Sequence, residues 1–98
     1  MSGIVEGKVV VVTGAASGLG QAAAVAFARE GASLALADID AVGLVETADR
    51  IGGALTIETD VTVAAQVDAM VAAVVDRYGR LDCAFNNAGI EGKAGTTT

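Results

Sequence analysis

The chain contains no proline, no histidine and no tryptophan, and it has a single cysteine, Cys83. With one thiol no internal disulfide can form, and a reducing compartment is the simpler setting. With no histidine, and no cluster of ligands at metal spacing, a metal centre is not expected. Aromatic residues make up 3% of the chain, so a core must be assembled from valine, alanine, leucine and isoleucine. The charge balance is −6 and there is no run of lysine or arginine, which argues against nucleic acid or an anionic membrane surface as partner. No segment approaches the ~18 apolar residues of a membrane span. The start, Met1-Ser2-Gly3-Ile4, has neither the basic region nor the apolar stretch of a signal peptide. A cytoplasmic protein is therefore expected.

What is present alternates between two patterns. The 98 residues, 53% of them hydrophobic, suit one small domain. Residues 8–13 carry four consecutive valines, Val9 to Val12, as in a strand buried on both faces. An alanine-rich helix is expected over 18–30, with Gly31 as its stop. A second strand follows at 33–38. A second helix, capped by Asp40, runs to about Ile51 and stops at Gly52-Gly53. The third strand covers 54–59. A third helix, capped by Thr62, places Val63, Val67, Met70, Val71, Val74 and Tyr78 at helical spacing, and Gly79 ends it. The fourth strand covers 81–86. This βαβαβαβ order, with short joins and right-handed crossovers, predicts an α/β fold. Its parallel sheet lies between helix layers with strand order 3-2-1-4, as in Rossmann-like domains.

The first join carries the chemistry. Gly14 permits a sharp turn off the strand, and Gly18 and Gly20 remove side chains where a pyrophosphate and the facing strand must approach. The free N–H groups and dipole of the following helix then receive phosphate charge. A plain glycine-rich turn is the alternative. Asp38 lies 18 positions after Gly20, at the end of the second strand. A carboxylate there accepts hydrogen bonds from both hydroxyls of an adenosine ribose and repels a 2′-phosphate. Neither Ser17 nor Ile39 adds the positive charge of an NADP pocket, so NAD is expected over NADP. The competing role for Asp38 is a turn or cap, for which Asp40 is better placed.

The spacing is Thr13-Gly14-x-x-x-Gly18-x-Gly20. With Asp60-Val61 after the third strand and Asn86-Asn87-Ala88-Gly89 after the fourth, it resembles the short-chain dehydrogenase/reductase family over about the whole chain. The resemblance implies that Gly14, Ser17, Gly18, Leu19 and Gly20 line the pyrophosphate and ribose. Asp38 and Ile39 would hold the adenosine ribose, Asp60 the adenine amino group, and the Val61 backbone the ring. Asn87, Ala88 and Gly89 would pass under the nicotinamide-side ribose, Asn86-Asn87 would tie the fourth strand to the sheet, and Thr13 would steady the turn. Read from residues alone, Asp60 could equally support the cap at Thr62, and Asn86-Asn87 could be a polar strand-end turn.

The family's chemistry uses a tyrosine with a lysine four positions later, plus a serine. Here the only tyrosine, Tyr78, is followed four positions later by Asp82, and it lies on an apolar helix stripe as a core residue. Cys83, in a strand and without a histidine partner, reads as a buried core thiol. No catalytic residue is assigned. Residues 1–89 are thus expected to be an NAD-binding portion, and 90–98 a mobile loop leading to a missing C-terminal half. The resemblance implies an oxidoreductase moving hydride between nicotinamide and an alcohol or carbonyl. Its partners would be a small alcohol or ketone substrate and copies of itself, as a dimer or tetramer. A non-catalytic NAD-binding regulatory module and an inactive truncated fragment are the other two readings.

Overall fold

The computed structural model describes residues 5–87. Its elements are β1 (Val9–Thr13), α1 (Gly18–Arg29), β2 (Ser33–Asp38), α2 (Ala41–Arg50), β3 (Leu55–Glu58), α3 (Ala64–Tyr78) and β4 (Cys83–Asn86). All strand pairs are parallel and the sheet order is β3-β2-β1-β4. The expected architecture is thus observed: β2 has the expected bounds, β1 and β4 begin one and two residues later, and β3 is one residue shorter at each end.

The valine run is explained by the two faces of the sheet. Val10 and Val12 pack with Leu34, Leu36, Ala24 and Leu44 on the side of α1 and α2. Val9 and Val11 pack with Ala35, Ala37, Met70 and Val74 on the side of α3. A strand covered on both faces cannot alternate polar with apolar residues, so every position is hydrophobic. Two of the three aromatics meet across the first face: Phe27 of α1 and Phe85 of β4 stand edge to face with centroids 5.9 Å apart. The third, Tyr78, packs in the second core, and its hydroxyl donates to the Leu34 carbonyl at 2.8 Å. That is the structural role the apolar stripe indicated.

Two expectations are corrected. Thr62 does not cap α3. The N-cap is Val63, which has no side-chain bond to give; Thr62 instead donates its N–H (2.9 Å) and its hydroxyl (2.6 Å) to Asp60 Oδ1. The local turn at Asp60 captures the hydroxyl before the helix can use it. Cys83 is exposed rather than buried. It lies on β4, the sheet edge, whose residues are mostly exposed. α3 packs over β2 and β3, and a cavity of about 290 Å³ remains beside it, lined by Val11, Val67, Met70, Val71 and Ala84 among others.

Candidate cofactor site

The C-terminal ends of the four strands carry the sequence-predicted residues. β1 connects through α1 to β2 on one side, and β4 lies on its other side. The strand order therefore reverses at β1, the place outside whose strand ends open parallel α/β sheets receive ligands.

Gly14 follows β1 with φ +67°, a left-handed conformation that favours glycine. Its carbonyl is the hub of the turn. It accepts the Ser17 N–H at 3.3 Å, the Ser17 hydroxyl at 3.1 Å and the Asn87 amide Nδ2 at 3.3 Å. Ser17 is the N-cap of α1 but makes no side-chain capping bond. The opening N–H groups of a helix have no intrahelical acceptor, so the first turn of α1 presents donors and a positive dipole end to whatever lies before it.

The other two glycines differ in kind. A Cβ on Gly20 would lie 2.0 Å from the Gly14 oxygen and 2.7 Å from its carbonyl carbon. Gly20 is fixed by the packing of α1 onto its own turn. A Cβ on Gly18 would meet nothing within 4 Å. No atom of the described residues accounts for a glycine at the exposed start of the helix, where the missing side chain leaves open the space that an anion at the first turn would occupy.

Asp38 stands at the end of β2, half-buried. One carboxylate oxygen accepts the Ala16 N–H and the other the Asp40 N–H, both at 3.0 Å. The acid is thereby aimed and tied to the glycine turn, and each oxygen keeps acceptor capacity for a hydroxyl donor. Asp40 caps α2 by accepting the Gly43 N–H at 3.0 Å, the role the sequence indicated for it. Leu19 and Ile39 are 54% and 66% exposed, two apolar side chains at the same rim. Thr59 donates its N–H to the Asp38 carbonyl at 2.9 Å, which brings the end of β3, and with it Asp60 and Val61, beside the end of β2.

Asp60 uses Oδ1 for Thr62, and its N–H donates to Gln66 Oε1 at 2.8 Å. The hydroxyl and N–H of Thr62 hold its carboxyl below the ordinary aspartate range. A lowered pKa means that this turn is favoured while the carboxylate is ionised and is lost as pH falls through the depressed value. The Thr62 amide resonance should therefore titrate with a midpoint below that of free aspartate. A midpoint at or above the ordinary value would contradict the turn.

Asn86 accepts the Thr13 hydroxyl on Oδ1 at 2.8 Å, and Thr13 also reaches the Phe85 carbonyl at 3.4 Å. Thr13 thus joins β1 to β4. Asn87 is fully buried and its Oδ1 has no partner among the described residues. A buried unpaired carbonyl next to the glycine turn is an open acceptor position. Ala88 and Gly89 lie outside the described residues.

Three residues that sequence reasoning missed complete the support. Thr47 of α2, fully buried, donates its hydroxyl to the Ala15 carbonyl (2.8 Å) or to Gly43 (3.1 Å) and accepts the Gln21 amide at 3.0 Å. A Cβ on Gly43 would lie 2.5 Å from the Ala16 Cβ, so α2 presses directly on the turn. The available signal was Gly43 itself, since a glycine inside a helical pattern costs ~1 kcal/mol and marks a close approach.

Comparison with known proteins agrees with this geometry. The family model described as short chain dehydrogenase matches residues 8–98. The chain belongs to the short-chain dehydrogenase family. Among short-chain dehydrogenase relatives, levodione reductase from Leifsonia aquatica is 48% identical over 97 residues, covering 92% of this chain and 36% of that protein. Sorbitol dehydrogenase from Cereibacter sphaeroides is 44% identical over 86 residues, covering 87% and 34%. A crystal structure of 3-ketoacyl-(acyl-carrier-protein) reductase from Brucella melitensis, complexed with NADH, superposes with a TM-score of 0.78 at 39% identity. It covers 82% of this chain and 33% of that one. The chain spans about a third of the length of the curated short-chain dehydrogenases it matches.

Proposed function

We propose that this chain forms the cofactor-binding part of an NAD-preferring short-chain oxidoreductase. In that reading hydride moves between the nicotinamide and an alcohol or carbonyl carbon of a small substrate. The observation that carries the proposal is Gly18. Its missing side chain serves no contact among the described residues, yet it stands at a helix start with no side-chain capping bond, near an oriented carboxylate. A pyrophosphate at that helix start accounts for it.

The residues fit the group. The N–H groups of the first α1 turn, from Gly18 to Gly20, would receive the pyrophosphate. Asp38 would accept the adenosine ribose hydroxyls, with Ile39 against that ribose. Asp60 would take the adenine amino group through the oxygen not used by Thr62, and the Val61 backbone would meet the ring edge. The open Oδ1 of Asn87 would face the nicotinamide-side ribose, with Ala88 and Gly89 beyond it. The bound nicotinamide supplies the hydride chemistry. What these residues contribute is orientation: a fixed turn and a fixed acid. In a protein of the relatives' length, proton transfer and substrate choice would come from residues outside this chain, and a dimer or tetramer and a cytoplasmic setting complete the reading. The Brucella reductase, seen with NADH, is consistent with it.

Calorimetric titration with NAD and with NADP is the test. NAD should bind at least ~tenfold more tightly, a difference of ~1.4 kcal/mol. Equal or tighter NADP binding would sink the assignment of Asp38. Binding of neither would sink the cofactor reading.

A further inference from the structure

Resting on the reading of the Gly14–Gly20 turn as a dinucleotide site, we propose that Thr47 is a positioning residue for the pyrophosphate: its hydroxyl, oriented by Gln21, fixes the Ala15 carbonyl and hence the direction of the turn's N–H groups. Thr47 sits in the middle of α2, far along the chain from the turn, and it is fully buried. A threonine hydroxyl has one proton and two lone pairs. The Gln21 amide donates to one lone pair at 3.0 Å, which turns the proton away from α1. The shorter of its two acceptor contacts is the Ala15 carbonyl, at 2.8 Å against 3.1 Å for Gly43 in its own helix.

Ala15 is held from both sides. Its N–H donates to the Ala37 carbonyl of β2 at 3.2 Å, and its own carbonyl takes the Thr47 proton. The next residue donates its N–H to Asp38, and its methyl lies against Gly43. The peptide planes that follow Gly14 are thus set by β2 and α2, not by local preference. Gln21 is in the first turn of α1, so the same three-centre chain couples the helix that would receive the phosphate to the helix that follows the ribose acid. Among the described residues Thr47 hydrogen-bonds to Gln21, Ala15 and Gly43 and not to Asp60 or Val61, so it governs the phosphate end of the site and not the adenine end.

Selectivity among ligands separates positioning from general structural support. In the full-length protein, Thr47→Val keeps the shape and deletes the hydroxyl. Affinities for NAD, for ADP-ribose and for adenosine should be measured for the unaltered protein, Thr47→Val and Thr47→Ser. NAD and ADP-ribose, which carry the pyrophosphate, should weaken about tenfold in the valine variant, ~1.4 kcal/mol. Adenosine should be unchanged, and serine should restore the lost affinity. Equal losses for all three ligands, or no loss for any, would overturn the proposal. If the valine variant fails to fold, Gln21→Leu replaces it. That change releases the hydroxyl without removing it and should weaken NAD and ADP-ribose in the same direction, and an unchanged affinity there would also overturn the proposal. Failure of the unaltered protein to bind NAD is a different result: it removes the dinucleotide reading on which Thr47 depends.

Discussion

Gly20→Ala should severely destabilise the fold, while Gly18→Ala should leave the fold intact and weaken NAD binding. The two glycines are two positions apart in one motif, yet their surroundings make opposite demands. The methyl at position 20 would sit 2.0 Å from a carbonyl oxygen and 2.7 Å from its carbon. Both are backbone, and no rotamer change relieves the overlap. Either α1 lifts from the turn or Gly14 abandons its conformation, with its three hydrogen bonds. Overpacking of a flexible site costs ~1–3 kcal/mol, so a backbone clash belongs at or above the top of that range. Total stability is only ~5–15 kcal/mol, and in a domain of this size each kcal/mol shifts the melting temperature by roughly 4–8 °C. Loss of soluble protein, or a drop of roughly 15 °C or more on that scale, is expected.

At position 18 the added methyl touches no atom of the described residues. Alanine there is a better helix former than glycine by up to ~1 kcal/mol, so the melting temperature should hold or rise. The methyl does occupy the space before the first turn. NAD affinity should fall by ~10–100-fold, ~1.4–2.8 kcal/mol. Thermal unfolding and calorimetric titration on both variants read the two effects separately. A stable Gly18→Ala protein with unchanged NAD affinity would show that no phosphate approaches that turn.

The contrast also shows what a sequence motif contains. Spacing located the turn, the strand before it and the helix after it, because those follow from local periodicity and from glycine chemistry. It could not say at which glycine a side chain would clash and at which it would meet nothing, since that depends on what stands opposite each Cα. Asp40 was legible as a cap because capping is a contact three residues long. Thr47 and Gln21 were not, because their partner lies across the gap between α2 and the turn, and nothing local in the segment Val45 to Asp49 marks a buried hydroxyl. Thr62 failed as a cap for a related reason. Asp60, placed where the chain leaves β3, drew the Thr62 hydroxyl and N–H into a turn of its own. Cys83 failed because burial of an edge strand is decided by what covers it, which the strand's own residues do not record.

Asp38→Ala should weaken both nicotinamide cofactors and destabilise the protein in their absence. As a ribose acid alone, Asp38 would be needed only when a ligand is present, and its loss would shift preference toward NADP without touching the fold. The structure gives it a second task. Its two oxygens hold the N–H groups of Ala16 and Asp40, one in the glycine turn and one at the entry to α2. Hydrogen bonds to a charged group contribute ~1.5–3 kcal/mol when well placed, and an unmet buried donor costs ~1–3 kcal/mol. Both amides here are partly accessible to water, which supplies some replacement, so a loss of ~1–2 kcal/mol in unfolding free energy is the expected scale. The turn, freed on one side, then binds phosphate less well whichever cofactor carries it. On top of this common loss, NAD should fall further than NADP by ~tenfold, because only NAD offers the carboxylate a 2′-hydroxyl, while the 2′-phosphate is relieved of repulsion. Denaturant unfolding without ligand reads the first task, and the ratio of the two affinities reads the second. Unchanged stability would refute the strap between turn and strand, and an unchanged ratio would refute the ribose contact. Asp38→Asn sharpens the division. The amide keeps one acceptor for Asp40 or Ala16 but turns a donor toward the other N–H, so it should lie between the unaltered protein and Asp38→Ala in stability while losing the charge that discriminates against NADP. A search for NADP-accepting variants should therefore leave Asp38's two backbone partners satisfied and place any new positive charge at Ile39, which is exposed at the same rim and holds no hydrogen bond that the turn needs.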